Sequence, residues 1–145
     1  MRVMTVARGF ALIFGLVYVV VGLLGFIKPL TDAPGSGLFL GGEDAKLLGI
    51  FAVNWFHNLA HLAIGLLGLA AAQRMDLARV YAQAIGLAYA LLFVIGLFTG
   101  DFLGVLPLNG ADNVLHLLSA IVALVVGFSP VGERTIGQSR LAGAA

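Results

Sequence analysis

The chain contains no cysteine. That excludes disulfides, thiolate-ligated iron–sulfur clusters, thioether-linked haem and thiol catalysis. Charge is nearly as scarce: Asp, Glu, Lys and Arg make up 10% of 145 residues, against about a quarter in a soluble domain. The net charge is +1 and no basic run occurs, so no nucleic-acid partner is expected. Nucleophile elbows, phosphate-cradling glycine loops and HExxH segments are all missing, and no enzyme is expected. Ser119 stands one turn from His116, a neighbour relation that on a helix reflects packing far more often than catalysis.

What remains is apolar. Hydrophobic residues account for 61% of the chain and the mean hydropathy is +1.07. These values predict an all-α integral membrane protein with the lipid bilayer as its first partner. One domain covers residues 1–130, and a polar, poorly ordered tail covers 131–145. Four spans are expected, from about Val3 to Ile27, Ala45 to Ala72, Leu77 to Phe98 and Ala111 to Phe128. Each is long enough at 1.5 Å per residue for a ~30 Å hydrocarbon core, the fourth only barely. The first is read as a span and not as a cleaved leader, since no small-x-small site closes its long apolar run.

The spans repeat. RGFALIFGLVYVVVGLLGF matches RVYAQAIGLAYALLFVIGLF at an offset of 71, pairing Arg8 with Arg79, Tyr18 with Tyr89 and Gly25 with Gly96. NWFHNLAHL matches NGADNVLHL at an offset of 55. The chain therefore reads as two tandem helical hairpins, about 3–72 and 77–128, forming an antiparallel transmembrane four-helix bundle. Two spans per repeat keep both copies in one orientation, so the predicted pseudo-two-fold runs along the membrane normal. Arginines gather at the N-terminus, the middle loop and the tail. Positive-inside counting therefore predicts cytoplasmic termini. Small residues such as Ala11, Gly15, Ala82 and Gly86 line helix faces where backbones can approach.

The second match carries the chemistry. Asn54, His57, Asn58 and His61 share one helix face, and so do Asn109, Asp112, Asn113 and His116. All three histidines of the chain lie in these copies. Polar groups in lipid are costly and turn toward the protein interior. The repeat makes His61 and His116 mates, and pairs His57 with Asp112. Three readings arise. The stripes are interhelical polar glue, each contact worth ~0.6 kcal/mol. Alternatively, His57, His61, Asp112 and His116 hold a metal ion, or His61 and His116 hold a haem or chlorophyll-type tetrapyrrole, with Asn54, Asn58, Asn109 and Asn113 as supporting polar groups. The third reading is a proton or small-solute path. It is thin, because no titratable residue continues the stripes along spans two and four.

On the segments HNLAHLAIG and DNVLH, from about Arg8 to Phe128, the chain resembles a family of small bacterial four-span proteins of unknown function, found largely in actinobacteria and cyanobacteria. The resemblance implies architecture and a bacterial plasma-membrane location, and no activity. The expectation is a non-enzymatic structural or accessory subunit of a membrane complex or homo-oligomer, with a polar centre near the outer leaflet as candidate metal or tetrapyrrole site. A small proton-coupled or small-solute transporter is the alternative.

Overall fold

A computed structural model describes residues 4–35 and 44–136. Four helices dominate: α1 (Val6–Gly25), α2 (Trp55–Ala71), α3 (Met75–Gly96) and α4 (Gly110–Phe128). Between them lie two antiparallel hairpins, β1–β2 (Ala45–Leu47 and Phe51–Val53) and β3–β4 (Asp101–Phe102 and Leu106–Pro107). By length and composition α1, α3 and α4 can each cross a membrane, whereas α2 is a shorter apolar helix.

The start of the second expected span is thus corrected. Residues 45–53 form a hairpin, and helix begins only where the Asn54 side chain accepts the His57 amide at 2.9 Å. The cause is local: Leu48 and Gly49 take φ of +54° and +71°, a left-handed turn that no helix accommodates. The apolar run nonetheless looks continuous in sequence, because Val53 is buried like a helix residue.

Helix α1 packs on α2 and α3 on α4, through positions with little or no side chain. A Cβ on Gly15 would lie 2.8 Å from the Gly65 carbonyl, and one on Gly86 would lie 2.9 Å from the Leu124 amide. Ala7 and Ala11 are wholly buried, and so are Ala78 and Ala82, their counterparts 71 residues on. With lipid outside, such small-residue contacts let dispersion forces act between backbones.

The repeat extends into hydrogen bonds. Arg8 Nε donates to the Ala72 carbonyl at 2.8 Å, and Arg79 Nε donates to the Gly127 carbonyl at 2.9 Å. Each arginine therefore caps the C-terminal end of its partner helix, where unpaired carbonyls concentrate negative charge. Arg8→Ala and Arg79→Ala should each lower stability by about 1.5–2 kcal/mol, the usual worth of a charged hydrogen bond. Unfolding of each purified variant in mild detergent will measure the loss, and wild-type stability would show the clamps to be idle.

The tail also needs correcting. Residues 130–133 form a 3₁₀ turn with Gly132 buried. Val6 donates its amide to Arg134 at 2.9 Å, and Ile136 donates to Met4 at 2.9 Å. Glu133 pairs with Arg79. These contacts order a segment that composition alone reads as loose. The expected tail beyond Ile136 lies outside the described residues.

Candidate functional site

The 55-residue repeat reaches further back than the polar stripes. Ala45–Asn54 and Gly100–Asn109 superimpose in type: a strand, a Leu–Gly turn with positive φ, a second strand, then an asparagine helix cap. Leu48 and Leu103 have φ of 54° and 58°, and Gly49 and Gly104 have 71° and 69°. The sequence signal, LG followed by N at the sixth residue from the leucine, was available but is hidden by apolar strand residues.

These hairpins explain the outer members of each stripe. Asn54 Nδ2 donates to the Val105 carbonyl at 2.9 Å, and Asn109 Nδ2 donates to the Ile50 carbonyl at 2.7 Å. Each cap therefore ties its own helix to the turn of the other repeat. Neither is hydrogen-bonded to an imidazole among the described residues. Asn58 and Asn113 have a different role. The carboxamide of Asn58 lies on Gly25 and that of Asn113 on Gly96, close enough that a Cβ on either glycine would collide with it.

Asp112 is the asymmetric member, and its partners are backbone amides. One carboxylate oxygen accepts from Ala52 and from Asn109, both at 3.0 Å. Together Asn109 and Asp112 close a capping box at the start of α4, each satisfying an amide that the helix leaves unpaired. The counterpart of Ala52 in the other repeat is Pro107, which has no N–H to give. The counterpart of Asp112, in the first repeat, is His57. Loss of the donor and loss of the acceptor go together, which accounts for the broken symmetry.

Inside the hairpins lies a ring system. His57 and His61 have centroids 4.4 Å apart. His61 meets Tyr18 edge-on at 5.0 Å, and His116 stacks on Tyr89 at 5.1 Å. Tyr18 and Tyr89, themselves counterparts, are 5.9 Å apart. The mates His61 and His116 are thus connected through two tyrosines, which spacing within α2 and α4 could not reveal. Nδ1 of all three histidines is enclosed without a hydrogen-bond partner. His57 is 6% exposed and His116 4%.

His57, His61, Asp112 and His116 all border one cavity of about 500 Å³ between α1, α2, α4 and the β1–β2 hairpin. Its walls are otherwise mostly apolar, with Phe14, Val17 and Val21 from α1 and Leu115 and Val122 from α4. The size is that of a site for one small molecule. No three His, Asp or Glu side chains among the described residues come together as an ion's ligand set. The carboxylate nearest to serving is committed to α4 and Ala52.

Residues 8–129 match the family described as "Domain of unknown function (DUF4383)". The chain belongs to that family. The DUF4383 match runs from the Arg8 clamp to Ser129, the residue after α4, and so contains every residue of the stripes and the cavity. No curated protein and no solved structure matches the chain.

Proposed function

We propose that this DUF4383 chain is a non-enzymatic integral membrane protein, an accessory subunit that holds a membrane-dissolved ligand beside His57, His61 and His116. In this reading all four helices cross a bacterial plasma membrane as an antiparallel bundle of two tandem hairpins, related by a pseudo-two-fold along the membrane normal. The short α2 is completed by the β1–β2 hairpin above it. Arginine placement sets both termini in the cytoplasm and the β-hairpins at the outer face.

The observation that carries the proposal is three histidines, each with an enclosed Nδ1 that has no hydrogen-bond partner, bordering a ligand-sized and mostly apolar cavity. Polar glue would show those nitrogens bonded across helices, and the structural work is already done by Asn54, Asn109, Asp112 and the two arginines. Each enclosed Nδ1 without a partner costs about 1–3 kcal/mol, a cost that packing alone gives no reason to retain.

The test is native purification followed by solvent extraction and mass spectrometry of whatever accompanies the protein. One ligand near one per chain is expected, lost in His57→Leu/His116→Leu protein that still unfolds cooperatively. Elemental analysis of the same sample covers a bound ion. Protein without any stoichiometric companion would overturn the reading.

A further inference from the structure

We propose that the ligand is a neutral lipid bearing ring carbonyls, of the quinone class, entering sideways from the bilayer between α1 and α4. The inference rests on the ligand-holding role just argued and specifies its chemistry. Three observations lead to it.

The first is the state of the imidazoles. A neutral ring has one N–H donor and one lone pair, so one nitrogen must carry the proton. Nδ1 of His57, His61 and His116 faces no acceptor. An orphaned buried N–H is rarer in proteins than an orphaned acceptor, which puts the proton on Nε2. On His57 that donor is directed to the Ala52 backbone; on His61 and His116 Nε2–H is left to a further partner, and a carbonyl oxygen is its natural one. A metal or haem iron would take one bare ring nitrogen while the other N–H is held by a carboxylate or carbonyl, and the enclosed Nδ1 of these rings is held by neither. The donors come from α2 and α4, two separate helices, which suits a ring with two carbonyls.

The second is charge. Among the described residues no lysine or arginine borders the cavity, and the carboxylate of Asp112 already accepts two backbone amides. A phospholipid phosphate, a fatty-acid carboxylate or the propionates of haem would find no cation inside. A neutral head group needs none.

The third is the mouth. Ile13 and Val17 of α1 are 65% and 49% exposed, and Val122 of α4 is 52% exposed, yet all three border the cavity. On spanning helices such residues face lipid, so the opening is lateral and a long apolar tail can extend into the bilayer. Phe14 and Tyr18, stacked at 4.2 Å, provide aromatic surface for a planar head. At the corresponding place between α2 and α3, a short turn ties the helices and Tyr81 donates across to the Ile64 carbonyl.

Full-length protein in phosphatidylcholine nanodiscs, stripped of lipid by delipidation, is titrated with decylubiquinone and separately with hemin and lauric acid. Saturable quinone binding at one per chain is expected, with hemin and lauric acid at least tenfold weaker. Val122→Trp, at the mouth and lipid-facing, should abolish quinone binding while the melting temperature holds. Leu67→Trp, its counterpart 55 residues earlier and 64% exposed, should leave binding unchanged. His116→Leu should weaken binding at least tenfold. Hemin or fatty acid binding as tightly as quinone would overturn the carbonyl assignment while leaving the ligand-holding role in place. Equal loss in both tryptophan variants, or none in either, would overturn the lateral site. An empty extract and no saturable binding to any of the three would remove both proposals.

Discussion

Asp112→Ala will destabilise the protein by about 2–3 kcal/mol, and Asp112→Asn by less than about 1 kcal/mol. The carboxylate oxygen accepts two amides, those of Ala52 and Asn109, and the residue is 5% exposed. Alanine removes the capping box and leaves both amides without their acceptor. Asparagine keeps an oxygen in place, provided its carboxamide turns that oxygen toward the two N–H groups. That ranking would make charge secondary to acceptor geometry, the reverse of what a proton-coupled carrier requires. Chemical denaturation of the purified variants checks the ranking. Asn as damaging as Ala would mean that the negative charge itself is needed and would return the transporter to consideration. Because Ala52 sits in the hairpin over the cavity, Asp112→Ala should also loosen that hairpin, seen as faster amide exchange at residues 45–53.

Much of this architecture was legible in the residues, for a definable reason. Helix pairing follows from small residues at fixed spacing, and spacing is visible in a sequence. The repeat at offsets 71 and 55 similarly identified counterparts whose contacts turn out to match, such as Arg8 with Arg79 and Asn58 with Asn113. What sequence could not supply was direction. Asn58 and Asn113 lie on the expected helix faces but pack on glycines, whereas Asn54 and Asn109 are extended caps ahead of their helices that reach to turns, and none is bonded to an imidazole among the described residues. Asp112 likewise lies beside the cavity and points its hydrogen bonds at the backbone. The β1–β2 pair is hidden because Phe51, Ala52 and Val53 continue an apolar run that only the Leu–Gly turn interrupts, and β3–β4 because its strands of two residues lie in a Gly-containing connection with no alternation to read. Tyr18 and Tyr89, which link the histidines, belong to the other pair of helices. Their role depends on how α1 and α3 meet, a long-range fact that periodicity within one helix does not encode.

Gly25→Ala and Gly96→Ala should each cost about 1–3 kcal/mol, the range for forcing extra atoms into a packed interior. One methyl is enough because of what lies opposite. A Cβ on Gly25 would stand 2.9 Å from Asn58 Nδ2 and closer still to the rest of that carboxamide, and Gly96 repeats this with Asn113 at 2.8 Å. Asn58 is wholly buried, so its short side chain has no open space to swing into. Both of its amide atoms are enclosed without a hydrogen-bond partner. Removing the carboxamide therefore forfeits packing and no polar bond, and Asn58→Ala alone should be mild. The Gly25→Ala/Asn58→Ala double variant should recover most of the loss, giving a coupling energy of about 1–2 kcal/mol between contacting residues. The Gly25 and Gly96 sites share no partner, so their single effects should add. Denaturation of the four proteins of each cycle decides the matter. Additive Gly25 and Asn58 effects would show that the carboxamide is not the obstacle. Recovery in the double variant would establish that Asn58 and Asn113 set the closeness of each helix pair, leaving His57, His61 and His116 as the polar groups free to meet a ligand.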